Sequence, residues 1–339
     1  MVGKLPPTLL NKYILSRVGI KDPAVIVGPS IGEDSAVIDL GDDKILVAHS
    51  DPITGAVELL GWLAVNIVSN DIAVTGAKPR WLLATIYLPE ECDESLIDKI
   101  TSQIDVAAKE LKAMIVGGHT EFTPKLDRPL ISMTGIGITT KDKFVKTGGA
   151  MEGDVVLMTK TAGIEGTAIL STDFSEELRS KGISNDIIKR GAKFIKRISV
   201  VKEALILAEN KLATSMHDPT EGGVLGGLTE IAYASKKTIE VWEEKIPIAT
   251  ETQIIARALN IDILRLISSG VLIATIPKDK AEKAIELLKS NNIEASVIGI
   301  VREYSGNLVI LNKRNGAKEY IEEVYVEDEL IRLWKEYKK

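Results

Sequence analysis

The chain has 339 residues, 45% of them hydrophobic, enough for two domains with a sizeable core and too apolar for wholesale disorder. Lys and Arg total 42 against 48 Asp and Glu, and the net charge of -6 gives no electrostatic basis for binding nucleic acid or an anionic membrane. No apolar run reaches the ~18 residues that cross a bilayer, the opening MVGKLPPTLLNKY has no signal-peptide core, and the single Cys92 excludes an internal disulfide, so a cytoplasmic protein is expected.

In chain order, strands are predicted at residues 35–40, 44–49, 81–88, 114–117 and 130–139, with helices at 57–75 and 94–111 between them. The polar, Gly-rich segment 140–153 reads as a junction between domains. Beyond it come a strand at 154–159, a TAGIEG turn into a helix, one long helical tract at 186–210 and a short strand at 214–216. Helices near 221–235, 249–259 and 278–290 and strands at 270–276 and 295–301 follow. Residues 304–311 are expected to continue the last strand as an edge pair, and 328–338 to form a terminal helix. Strands alternating with amphipathic helices give a mixed α/β fold. Glutamine occurs only at Gln103 and Gln253, and few amides among abundant Lys, Glu and Ile is a thermophile bias.

Three histidines stand beside acids: His49 in HSDPITG, His119 in GGHTE and His217 in MHDPTEGG. Imidazole with carboxylate suits zinc, but no HExxH or other local ligand pair is present. The acids form the more coherent pattern: Asp34 in IGED, Asp51 in HSDP, Asp71 in SND, Glu121 in GGHTE and Asp218 in HDPTEGG. All but Asp71 are placed where an apolar strand meets a Gly- or Pro-containing turn, whereas Asp71 falls on a helix that carries Asn66 and Asn70 on one face. Hard oxygen ligands converging on one sheet edge suit Mg2+, which commonly shares its shell with nucleotide phosphates. The plainer reading of each acid is an Asx turn or a helix cap.

Gly117 and Gly118 follow a strand and permit close backbone approach. The TAGIEG and EGG turns open helices whose N–H groups can receive phosphate, although glycine also serves such turns for steric reasons alone. GxxxxGK[ST], GxGxxG and GxSxG are all absent. Cys92 sits in the acidic turn PEECDES, which disfavours a thiolate. Aromatic content of 4% gives no stacking platform for single-stranded nucleic acid.

Taken in order, IGEDSAV, HSDPITG, VNIVSNDIAVTGAKPRW, IVGGHTE and MHDPTEGGV resemble the AIR synthase superfamily over nearly the whole chain. That superfamily includes aminoimidazole ribonucleotide synthase, the hydrogenase-maturation protein HypE, thiamine-monophosphate kinase and selenophosphate synthetase; HDPTEGG and SSGVLIATIP look closest to HypE. The resemblance implies a PurM-like two-domain α/β architecture. An N-terminal domain, residues 1–145, forms a β-barrel with its twofold mate in a homodimer; a C-terminal α/β domain covers 150–302, with a strand-and-helix extension at 303–339. ATP and Mg2+ are implied in the cleft between domains. Carried over motif by motif, Asp34, Asp51 and Asp71 resemble magnesium–phosphate ligands, with Asn70 beside Asp71. Gly117, Gly118, Thr120 and Glu121 match a Gly-Gly-x-Thr phosphate loop, and Asp218 matches an acid from the second domain. Asp51, Asp71 and Asp218 are the implied catalytic acids. Lys160, Lys78 and Arg80 are candidate phosphate cations.

Two departures limit the likeness. His119 stands where the relatives have aspartate, which leaves the metal count open. The chain ends WKEYKK without the terminal cysteine on which HypE carries its group, and it has no reactive Cys near its start as selenophosphate synthetase requires. The expectation is therefore an ATP- and Mg2+-dependent enzyme that phosphorylates an amide-like oxygen on a small-molecule or protein-bound acceptor, in hydrogenase or other metallocentre maturation. The alternatives are a small-molecule kinase and a nucleotide-binding maturation partner without turnover.

Overall fold

The computed structural model describes residues 5–54 and 58–337. Two mixed sheets carry it. The first contains β1 (Val25–Val27), β2 (Ala36–Gly41), β3 (Lys44–Ile53), β4 (Lys78–Pro89), β5 (Met114–Thr123) and β6 (Leu130–Thr140), in the spatial order β1-β2-β3-β6-β4-β5. The second contains β7 (Val155–Thr159), β8 (Ser215–His217), β9 (Lys237–Trp242), β10 (Ile273–Ile276), β11 (Ala295–Glu303), β12 (Val309–Asn312) and β13 (Lys318–Ile321), ordered β13-β12-β9-β11-β7-β10-β8. The first sheet does not close on itself among the described residues, so a barrel would need a second copy.

Sheet chemistry follows the sequence closely in β6, where every second residue is buried along its length. That buried face meets the helix Leu60–Val74, which is buried on all sides except at Trp62. The helix lies so close to β6 that a Cβ on Gly137 would stand 2.5 Å from Ile72 Cγ2. Its far end joins Ala73 and Val74 to Ala204, Leu207 and Ala208 of the helix Val201–Glu209, tying the two halves into one core. The helix Glu94–Leu111 is capped by Asp93, whose carboxylate accepts from Leu96 N at 2.9 Å. It forms the crossover that makes β4 and β5 parallel, the one parallel pair of this sheet. No helix among the described residues is long and apolar enough to cross a membrane.

Several sequence expectations change here. Residues 186–210 are not one helix; Asn185–Ala192 and Val201–Glu209 are separated by a 3-10 turn and a bend. The strand expected to stop at Gly117 runs on to Thr123, so the Gly-Gly-x-Thr segment is part of β5 rather than a loop. Residues 304–311 do not extend β11. Instead β12 pairs in parallel with β9, and β13 forms the sheet edge, so residues 309–321 complete the second sheet. The first residue of the helix expected at 57–75 and the last of the helix expected at 328–338 lie outside the described residues.

Candidate functional site

Three carboxylates from distant parts of the chain converge. Asp34 follows the turn before β2, Asp71 lies in the helix Leu60–Val74, and Asp218 follows β8 in the second sheet. One oxygen of each lies within 4.8 Å of the others, and among the described residues no other group of three His, Cys, Asp or Glu side chains is so placed. Asp218 is 1% exposed, and neither of its oxygens has a hydrogen-bond partner. Burial, and then the charges of Asp71 and Asp34, push its pKa well above the ordinary carboxylate range. The chemistry of this donor set fits a hard divalent cation, because such an ion would satisfy both orphaned oxygens and remove the like-charge repulsion.

The surrounding groups fix these acids in place. His217 Nδ1 lies 2.6 Å from Asp34 Oδ1, and its Nε2 lies 2.8 Å from Glu230 Oε2. Burial alone would lower the His217 pKa, but Asp34 and Glu230 overcome it and hold the imidazole well above its usual value. Thr147 Oγ1 donates to Asp34 Oδ2 at 2.9 Å, and the N–H groups of Thr147 and Gly148 donate to Glu33 at 3.2 and 3.1 Å. The IGED turn is therefore clamped between the domain junction and the second sheet. His49 Nε2 stands 3.5 Å from Asp71 Oδ2. The three histidines lie against different acids, His217 against two of them, and no histidine-based zinc cluster forms among the described residues.

The other residues singled out from sequence are distributed as follows. Asp51 lies inside β3 rather than in a turn, and its charge is felt at Asp218. Glu121 is exposed on β5, 3.2 Å from His119, and outside the three-acid cluster; Gly117, Gly118 and Thr120 are exposed on the same edge. Asn70 bridges the domains: its amide nitrogen donates to Ile198 O at 3.0 Å and its oxygen accepts from Val200 N at 2.8 Å. Lys160 is also held, 2.6 Å from Glu203 and donating to Arg197 O and Ser199 O. Arg80 stacks over Trp81 at 4.4 Å, and Lys78 is exposed at the start of β4.

Asp51 also lines a cavity of about 330 Å3 between the halves of the chain, with Ile67, Glu165, Glu221, Asp328 and Trp334 among its walls. Glu165 and Asp328 were not singled out from sequence. An acid in the first turn of a helix, as Glu165 is, normally reads as a dipole partner at the surface. Here burial, helped by Glu221, Asp328 and Asp51, raises its pKa to about 8. Burial likewise lifts Asp328 to about 7, although Gly222 N and Leu330 N donate to its carboxylate.

Comparison with known proteins bears on the whole chain. Residues 32–139 match AIR synthase related protein, N-terminal domain, and residues 151–311 match AIR synthase related protein, C-terminal domain. A protein of Methanocaldococcus jannaschii bearing the name hydrogenase expression/formation protein is 30% identical over 319 residues, covering 91% of each chain. The carbamoyl dehydratase HypE of Rhizobium leguminosarum bv. viciae is 27% identical, covering 71% of this chain and 68% of that one. A crystal structure of the hydrogenase maturation protein HypE in complex with ATP shares the fold, with TM-score 0.71, 24% identity and 96% of both chains covered.

Proposed function

This chain belongs to the AIR synthase related protein family, and on that premise we propose that it is an ATP- and Mg2+-dependent enzyme that transfers a phosphoryl group to an amide-like oxygen, within metallocentre maturation. The observation that carries this reading is the convergence of Asp34, Asp71 and Asp218 from both halves of the chain, with both Asp218 oxygens unsatisfied. Carbamoyl dehydratase HypE is among the chain's relatives, and a HypE that shares its fold has been solved with ATP.

Asp34, Asp71 and Asp218 would hold magnesium, and the charge of Asp51 is felt at Asp218. When bound, magnesium neutralises phosphate charge and helps to position the transferring group. The rest of the work falls to the chain's own residues. His217 and Thr147 fix the two oxygens of Asp34, so this carboxylate is oriented before any ligand arrives. Asn70 locks the bend at residues 198–200 onto the helix that carries Asp71, setting the spacing between the domains. In the proposed homodimer, Gly117, Gly118, His119, Thr120 and Glu121, exposed on β5, would lie along the interface.

The test is ADP formation from Mg-ATP with and without carbamoyl, amide and alcohol acceptors. Acceptor-dependent ADP that disappears in Asp218→Asn supports the assignment. Nucleotide binding with no turnover on any acceptor would point instead to a maturation partner that only binds.

A further inference from the structure

The cavity beside the three-acid cluster has a floor of unusual chemistry. Glu165 is 5% exposed and lines it, yet its Oε2 has no hydrogen-bond partner. A buried acid left in this state costs stability unless something arrives to satisfy it. The charges it feels most are those of Glu221, Asp328 and Asp51, all of its own sign and all on the same cavity. The two basic residues on the wall, half-buried Arg128 and exposed Lys335, are not among them. Apolar side chains line the same cavity, among them Ile53, Ile67, Ile169 and Ile267. Trp334 completes the wall, held by its ring contact with Phe174 at 4.7 Å between centroids.

Carboxyl groups, aliphatic side chains and an indole lining one cavity form a set that selects one class of ligand. An anion is repelled by the charges of Asp51 and Glu221, and a neutral amide leaves Glu165 holding the proton that its raised pKa keeps on it at neutral pH. A cation with an apolar body can take the place of that proton, buries its hydrocarbon against the isoleucines and can lie against the indole face. We propose that this cavity is the acceptor-binding site and that it anchors its ligand through a positively charged ammonium or amidinium group seated on Glu165. The word acceptor rests on the phosphoryl-transfer reading above; the preference for a cation rests on the cavity alone.

Three small aromatic probes of nearly one shape separate the charge states: benzamidine, a cation at neutral pH, neutral benzamide and anionic benzoate. Calorimetric titration into the full chain without nucleotide should rank benzamidine first, tighter than benzamide by about tenfold or more, with benzoate last. Glu165→Gln, checked for its fold by circular dichroism, should weaken benzamidine about tenfold and leave benzamide within about threefold. If that variant fails to fold, the ranking in the unaltered chain decides by itself. Benzamide or benzoate binding as tightly as benzamidine, or no binding of any probe, overturns the proposal. A parallel Mg-ATP titration keeps the two readings apart. ATP bound with no probe bound removes only the cation site, whereas probes ranked as expected with no ATP bound remove only the phosphoryl-transfer reading.

Discussion

Glu165 shows what a single buried carboxyl does to the whole chain. Its pKa is about 8 when folded, against an ordinary value of 4.5. Between those limits the native state holds a proton that the unfolded state has released, so stability is fully present below the lower value and is lost as pH rises toward the upper one. Asp328, raised to about 7, acts in the same direction. Urea unfolding should therefore show stability falling by on the order of 4–7 kcal/mol between pH 5 and pH 9. Glu165→Gln should flatten the upper part of that fall; a wild-type profile level across the range would contradict the burial argument. Cys92 is the opposite case. Burial and the neighbouring Asp93 raise its thiol pKa, and its Sγ donates to Asp93 O at 3.4 Å, so it is poorly suited to nucleophilic chemistry. Cys92→Ser should leave ATP-dependent turnover within about twofold of wild type, since Cys92 lies outside both the three-acid cluster and the cavity beside it. Intact-mass analysis after incubation with a carbamoyl donor and ATP should find no adduct on Cys92, and an ATP-dependent adduct lost in the serine variant would restore a self-carrying mechanism. Asp34, Asp71 and Asp218 could be picked out from sequence because each sits in a distinctive motif (IGED, SND, HDPTEGG), while Glu165 could not: its burial comes from the second half of the chain folding over a helix start.

The helix Leu60–Val74 is the element on which the site depends, because it carries Asp71 and Asn70 and touches both halves. Its fit to β6 is tight at Gly135, where a Cβ would stand 3.0 Å from Val68 Cγ2, and tightest at Gly137. In Gly137→Ala the new methyl would meet Ile72 Cγ2 at 2.5 Å and Lys78 O at 2.9 Å, a clash that typically costs about 1–3 kcal/mol. Thermal unfolding should fall by several degrees, and an unchanged midpoint would mean that the helix can move off the sheet without penalty. The same helix explains a misread element. Residues 186–210 have continuous helical periodicity, but Asn70 takes Ile198 O and Val200 N into its own hydrogen bonds, and the chain bends there. That competition between a distant side chain and the local backbone is invisible to periodicity. The extension of β5 has a similar origin. Its partner β4 supplies a 12-residue template, and Gly118, with φ +146, sits so close to Ala84 that no Cβ could fit. Read alone, the two glycines suggested a loop; against β4 they allow a strand to continue.

At the scale of the molecule, β5 is the unsolved edge. It presents Met114, Val116 and Phe122 at 65%, 48% and 58% exposure on a 10-residue strand at the border of its sheet. An open, apolar edge of this length is an aggregation hazard unless another chain covers it. An isologous pairing of two copies would cover both edges at once. Light scattering at micromolar concentration should therefore report about twice the 36.8 kDa chain mass, and Phe122→Glu should shift the population toward monomer. A wild-type chain that stays monomeric would contradict the dimer. The mixed α/β class was legible from alternating strand and helix patterns, but the pairing of β12 with β9 was not, since parallel partners distant in sequence leave no local signal. The proposed magnesium–nucleotide site needs Asp34, Asp71 and Asp218 together, across the two halves of the chain. Calorimetric titration of ATP with and without Mg2+, in wild type and in Asp218→Asn, tests it most directly. The account predicts ATP binding that depends on Mg2+ in the wild type and falls at least about tenfold in the variant, with the variant's thermal midpoint unchanged or higher because a repelled buried charge has been removed. Equal ATP affinity in both proteins, or affinity indifferent to magnesium, would contradict it.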